Sequence, residues 1–363
     1  MSHAPPTKCR CGDTLVKRVT FAVPGNLDIP TGGYAYDRRV VAELRALGWQ
    51  VDVLDIGDCF PKPSDAQRAA ARQLLLAASL EGPLVIDGLA YGVIPEVAAE
   101  LAKLHRIVAL VHHPLALETG VSAQEAKALQ QSEREALGHS AHVIVTSPST
   151  ARLLCADYGV RPNAITVAMP GHDPVAQAIG STGGTVHLLS VGSIVPRKGY
   201  DVLIAALAQL ADLSWHLTIA GDRTRDPQTA AELDVTIAQG NLAERVTQLG
   251  VLSEAELASA YCMSDMFVQA SRFEGYGMAA ASALAHGLPI VATDGGALGA
   301  TVGDAALVAP PNNVDAFATA LRRMISDPAE RDRCRAASRA AARNLQSWRT
   351  TAEQFAAALE AVA

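Results

Sequence analysis

The 363 residues carry 30 Lys and Arg against 37 Asp and Glu, a net charge of −7, with 49% hydrophobic, 18% charged and 4% aromatic residues. That length exceeds what one hydrophobic core usually organises, so two domains are expected, and the composition excludes a largely disordered chain. The acidic balance excludes the broad basic surface that phosphate-backbone binding needs, so nucleic acid is not expected as a partner.

Residues 1–17 read as a Pro-containing tail. The 6 cysteines (Cys9, Cys11, Cys59, Cys155, Cys262, Cys334) are scattered. No second pair at metal-ligand spacing follows Cys9 and Cys11, so neither a disulfide framework nor a zinc site is expected, and a cytoplasmic location fits best. No apolar run reaches the ~18–20 residues that span a bilayer, and the tail lacks the apolar centre of a signal peptide, so no integral membrane segment is expected.

Next comes VTFAV (Val19 to Val23), which reads as a short buried strand running into the loop PGNLDIPTGGY, before a helical pattern from about Tyr36 to Leu47. The alternation continues with a strand at Val51 to Leu54, a helix over 64–80, a strand at Leu84 to Ile86 ending at Asp87-Gly88, and a helix over 92–104. Ile107 to Val111 forms a strand ending at His112-His113-Pro114, and Val143 to Thr146 another. Strands alternating with helices imply parallel pairing, because a parallel crossover needs a connection long enough to hold a helix. Residues 18–176 therefore read as a Rossmann-like domain.

A Pro/Gly-rich stretch between Met169 and Gly184 interrupts the alternation. It resumes in residues 177–345 with strands at Val186 to Val191, His216 to Ala220, Val246 to Leu249, Met266 to Ala270 and Ile290 to Ala292. The fold class is α/β: two Rossmann-like domains facing across a cleft, with ligands expected at the carboxyl ends of the strands. Residues 346–363 have helical spacing (Phe355, Leu359, Val362), and Trp348 marks either an ordinary surface helix or a crossing back to the first domain.

Two loops in the second half carry candidate chemistry. Ser271 to Met278 (SRFEGYGM) follows one strand and leads into a helix. Its glycines let backbone N–H groups approach a ligand, the helix N-terminus favours an anion, and Glu274, expected to be exposed, accepts hydrogen bonds. Gly192 to Gly199 (GSIVPRKG) places Arg197 and Lys198 at another strand end, where they suit a diphosphate. Taken alone, the first loop reads rather as a helix start with a solvated Glu, and the second equally as a solvent-exposed basic turn.

Taken together, VGSIVPRKGYDVLI, LTIAGD, VTQLGVL, ASRFEGYGMAAASALAHGLPIVATDGG and VAPPNN resemble the GT-B glycosyltransferases of family 4, the group 1 glycosyltransferases. The resemblance is densest in the second half. It implies GT-B architecture, transfer with retention of anomeric configuration, and a nucleotide sugar as co-substrate, with no other cofactor. It places Lys198 and Arg197 on the donor diphosphate, Glu274, Gly275, Tyr276, Gly277 and Met278 on the transferred sugar and distal phosphate, and Gly221 and Leu252 beside the donor, Leu252 near the base. In the first half it assigns Gly32 and Gly33 to the glycine loop near the donor phosphates. One of the strand-end histidines, His113 in preference to His112, falls where the family sets a histidine against an outer sugar hydroxyl, and Glu118 falls beside the acceptor pocket. His113, Glu274 and Lys198 are then the expected catalytic residues.

Two departures stand out. The family usually has a second glutamate eight positions after the first, on the donor ribose, and here that position is Ser282; many relatives carry an arginine where Ser193 stands. A serine is shorter and neutral, so weaker donor binding is expected. No Asp-x-Asp triplet occurs, so no divalent ion is expected. A UDP-sugar is the favoured donor, with GDP-mannose next, and a soluble small molecule the expected acceptor. Two other readings remain open: a catalytically impaired relative that binds a nucleotide sugar or a partner protein, and a nucleotide-sugar epimerase. A dehydrogenase is disfavoured because neither half has G-x-G-x-x-G after its first strand.

Overall fold

A computed structural model describes residues 17–78 and 81–363, so the expected tail with Cys9 and Cys11 lies outside the described residues. The first half contains β1 (Arg18–Val23), β2 (Gln50–Asp55), β3 (Leu84–Asp87), β4 (Ile107–Val111), β5 (His142–Val145) and β6 (Ile165–Val167). Between them run α1 (Gly32–Ala46), α2 (Asp65–Leu76), α3 (Gly88–Tyr91), α4 (Pro95–Leu101) and α5 (Ala123–Gly138), and α6 (Pro148–Asp157) follows β5. The second half contains β7 (Val186–Val191), β8 (Trp215–Ala220), β9 (Val246–Gly250), β10 (Met266–Gln269), β11 (Ile290–Thr293) and β12 (Ala306–Ala309). Its helices are α7 (Tyr200–Ala208), α8 (Pro227–Gln239), α9 (Glu254–Met263), α10 (Met278–Ala285), α11 (Leu298–Val302), α12 (Val314–Ser326) and α13 (Pro328–Ala342), and α14 (Trp348–Glu360) ends the described chain.

The strands form two sheets, ordered β2-β1-β3-β4-β5-β6 and β12-β11-β10-β7-β8-β9, with every pairing parallel. Strands covered by helices on both faces read as unbroken apolar runs, and β4 (IVALV) is buried at every position. In the first sheet the chain leaves β1 for β2 on one side and β3 on the other; in the second it leaves β7 for β8 and comes back past it to β10. Such switch points open crevices at the carboxyl ends of the strands. They set the loops after β1 and β3, and those after β7 and β10, as the ligand-facing parts of the two domains.

α14 packs on α1, in the first domain. Phe355 stacks on Phe21 at 5.9 Å, and Trp348 meets Tyr36 edge-on at 5.8 Å. Phe355 and Leu359 are fully buried in the cluster that also holds Val40, Leu44 and Val85. Each such side chain contributes about 1.5–3 kcal/mol on burial. Gly171 permits the crossing, because a Cβ there would collide with the Trp348 backbone.

Three expectations change at element boundaries. The first helix begins at Gly32, not near Tyr36, because the Thr31 side chain caps it by accepting from the Tyr34 N–H; Gly32 and Gly33 are thus its first residues and not part of the loop. The helix expected over 92–104 is shorter, α4 from Pro95, which starts it, to Leu101, and a separate short helix, α3, precedes it over Gly88–Tyr91. The three-residue β6 and the four-residue β12, both sheet edges, were not anticipated. No described helix is long and apolar enough to cross a membrane.

Candidate active site

The second domain supplies a tight electrostatic knot. Pro196 to Lys198 make one 3-10 turn that ends at Gly199, whose left-handed backbone (φ +65°) and lack of a Cβ let it press against the Ala270 carbonyl after β10. This packing joins the two loops. Lys198 lies across Gly192, where no side chain blocks it, and its Nζ donates to Glu274 Oε1 at 2.7 Å. The same oxygen accepts from Ser271 Oγ at 2.7 Å and Gln269 Nε2 at 2.8 Å. Arg197 donates to the Phe273 carbonyl at 2.8 Å and approaches Glu274 Oε2 at 3.3 Å.

Glu274 is therefore buried, at 7% exposure, and not the exposed loop carboxylate expected from the sequence. The backbone explains this: the Glu274 N–H donates to the Gly295 carbonyl and its own carbonyl accepts from Ala297, which draws the loop in against the segment after β11. Burial pushes the carboxyl up, but Lys198 and Arg197 outweigh it and hold the group at about 2. Lys198 is pulled below its usual value by burial, with Glu274 opposing.

From Gly275 the chain runs to Gly277, which caps α10 in a left-handed conformation (φ +96°) and starts the helix at Met278. Ser282, one turn into α10, is half-buried and sits beside the Tyr261 hydroxyl. Gly221 ends β8 against the Gly192 carbonyl, leaving no room for a side chain, and Leu252 follows β9 half-buried beside exposed Val251. Ser193 is half-buried in the β7 loop.

The first domain places its own groups opposite. A Cβ on Gly32 would lie 3.9 Å from Met278 Sδ, and one on Gly33 would lie 3.4 Å from the His112 ring. The N-termini of α1 and α10 thus converge on one space. His112 Nε2 is 3.1 Å from Asp37 Oδ1 and 3.6 Å from Asp87 Oδ2. His113 turns the other way, with Nε2 3.3 Å from Glu118 Oε2 and its ring 6.0 Å from that of Phe273. Burial pulls His113 down, with Glu118 opposing. Glu118 feels burial upward, yet His113 and Arg197 bring it to about 2. The domains touch here: a Cβ on Gly275 would collide with the His112 carbonyl oxygen, and Glu118 Oε1 is 3.3 Å from Arg197 Nε, a charge contact without hydrogen-bond geometry.

The structure gathers Gly32, Gly33, His112, His113, Glu118, Arg197, Lys198 and residues 274–278 around one cleft, with Gly221 and Leu252 at neighbouring strand ends. Of the two histidines, His112 packs on Gly33 at the start of α1, and His113 faces Glu118 and Phe273. Sequence reading gave no role to Asp37 or Gln269, nor to Asp87 and Ser271, although it set those two at strand ends. Asp87 ends a strand, a usable signal, and Asp37 lies four residues after Gly33 on the same helix face. Asp37, Asp87 and His112 each offer an atom within 4.8 Å of the others, a set in which a cation could sit. Here these atoms are engaged with one another, and Asp87 Oδ1 also accepts from the Leu89 N–H.

Two doubly wound parallel sheets with their strand ends facing across a cleft define the GT-B glycosyltransferase fold. Solved structures share it: sucrose-phosphate synthase from Thermosynechococcus elongatus superposes with a TM-score of 0.80 over 94% of this chain and 98% of that one, at 21% identity. HepE from Anabaena, solved with UDP-glucose, gives 0.76 over 95% and 99%, at 17% identity. Residues 175–341 match the family described as glycosyl transferases group 1. A D-inositol 3-phosphate glycosyltransferase of Pseudarthrobacter chlorophenolicus is 30% identical over 66% of this chain and 63% of its own length. The mannosylfructose-phosphate synthase of Agrobacterium fabrum is 29% identical over 60% and 52%. The matched part thus spans between half and two thirds of these relatives.

Proposed function

We propose that the protein is a retaining glycosyltransferase of the family 4 type, moving a hexose from a nucleotide sugar, with a UDP-sugar as donor, to a soluble small-molecule acceptor in the cytoplasm. The observation that carries this reading is the convergence of the α1 and α10 N-termini beside Lys198 and Glu274. Helix N-termini and a lysine favour a diphosphate, and a carboxylate beside them accepts from sugar hydroxyls. The UDP-glucose in the HepE structure supports the donor class. The relatives named for inositol phosphate and mannosylfructose phosphate support a small polyol-like acceptor. Free thiols at Cys59, Cys155, Cys262 and Cys334 fit a reducing compartment.

In this mechanism the protein positions and stabilises charge. Lys198, Arg197 and the two helix ends hold the departing diphosphate, which itself takes the acceptor's proton on the face where the new bond forms. Glu274 orients the sugar, and no divalent ion takes part. Incubating the protein with a panel of nucleotide sugars and reading melting temperature and released nucleotide tests the proposal. One UDP-sugar should stabilise it, with turnover on adding polyol acceptors; no response to any donor overturns the proposal. Ser282 and Ser193 favour one second reading, a catalytically impaired binder, which donor stabilisation without turnover would support.

A further inference from the structure

Asp37 is wholly buried and Asp87 nearly so. Neither forms an ion pair with a lysine or arginine among the described residues; His112 is the one cationic partner of both. Asp37 Oδ2 is buried without any hydrogen-bond partner. An isolated buried carboxylate is costly, so two of them around one imidazole favour a charged ring and a proton retained on one carboxyl. Asp87 is the carboxyl pushed upward, by burial and then by Asp37.

We infer that Asp37 and Asp87 are positioning residues that hold His112 as an imidazolium, with Nε2–H donated to Asp37 and Asp87 beside it at 3.6 Å, and Nδ1–H presented to the cleft as a charged donor to the transferred sugar or its leaving phosphate. This rests on the proposed glycosyl transfer for its consequence, but not for the state of the ring. The surroundings are consistent from every side. α1 contributes Asp37 and the Tyr36 ring, edge-on at 5.4 Å, and β3 contributes Asp87. The Tyr34 phenol, in the same helix turn, is itself raised by burial and by both carboxylates. Thr146, after β5, donates to the His112 carbonyl at 3.2 Å, His113 is the chain neighbour, and the other domain brings the Gly275 backbone against that carbonyl and Arg225 toward the Tyr34 phenol. Burial works against the charge on His112, and Asp37 followed by Asp87 overcomes it, to about 9.

The sign follows. The required form is protonated, so activity falls as pH rises through the His112 value, and removing the Asp37 charge moves that fall to lower pH. The test uses the full chain as wild type, Asp37→Asn and Asp37→Glu, with NMR titration of the histidine rings and pH profiles of kcat. In wild type His112 should titrate well above the usual histidine range. In Asp37→Asn that titration and the alkaline limb of kcat should both shift down by a unit or more, kcat should drop ~10- to 100-fold, and UDP affinity should stay within ~3-fold. Asp37→Glu should recover part of the shift. Should Asp37→Asn not fold, Asp87→Asn gives the same readouts.

A His112 that titrates at or below its ordinary value in wild type overturns the inference, as does an alkaline limb unmoved in Asp37→Asn. So does stoichiometric binding of zinc that stabilises wild type but not His112→Ala, because the trio would then be a metal site. If wild type transfers from no donor, the functional reading fails, while the ring titration still decides this one.

Discussion

Glu118 of the first domain stands 3.3 Å from Arg197 of the second, and the same guanidinium reaches Glu274 at 3.3 Å. One arginine therefore reports to both halves of the cleft. Glu118 is 44% exposed on its side chain, so the pair contributes at most about 1 kcal/mol to stability. Glu118→Gln should leave the melting temperature nearly unchanged while loosening domain closure. Small-angle scattering should show a larger radius of gyration, and acceptor KM should rise several-fold.

Lys198 is a different case, because its partner is buried. Lys198→Met removes the nearest cation from the Glu274 carboxylate, which keeps Arg197, Ser271 and Gln269, and should cost about 1.5–3 kcal/mol in the second domain, seen in urea unfolding, together with a ~100-fold or greater loss of kcat. The pH dependence follows from Glu274, whose folded value is lowered from 4.5 to about 2. Stability from this pair is present above the unfolded value and is lost as pH falls toward 2. Glu274→Gln should flatten that acid limb.

Glu133 on α5 behaves in the opposite sense. It is 1% exposed, accepts from the Leu115 N–H at 3.0 Å, and has its other oxygen unpartnered. Burial raises it to about 8. A raised carboxyl means the folded state binds the extra proton, so stability declines as pH climbs from the unfolded value through 8. Glu133→Gln should raise the melting temperature at pH 8.5 by a few degrees and have little effect at pH 5, which parallel thermal melts will show.

Ser282 offers a gain of function. It stands where the resemblance leads one to expect a ribose-binding glutamate, half-buried one turn into α10. Ser282→Glu should tighten nucleotide-sugar binding about 10-fold by calorimetry, as expected for a charge-assisted pair of hydrogen bonds. Unchanged affinity would show that this chain grips the ribose elsewhere.

The sheets were legible because buried parallel strands advertise themselves as apolar runs such as IVALV and LVID, bounded by Gly, Pro or Asp. Edge strands β6 and β12 escaped because each is only a few residues long and is paired along one side alone. The donor loops were legible because glycine, proline and paired charges are local signals. Burial of Glu274 was not, because it arises from Gly295 and Ala297, residues more than twenty positions away. The directions of His112 and His113 were equally hidden: adjacent residues at a strand end point in opposite directions, and only Gly33 and Asp37, far upstream, decide which one meets the start of α1.

The return of α14 onto α1 has a consequence for the order in which the molecule can be made. A ribosome releases Val19 to Val167 before the second domain, but Phe355 and Leu359, which close one face of that sheet, emerge only after it. The second domain holds its own complete core and can consolidate first, while its predecessor waits with Val40 and Leu44 uncovered. Chaperone dependence during synthesis should therefore concentrate in the half that is translated first, and a stop codon before Trp348 should send that half, and not its neighbour, into aggregates.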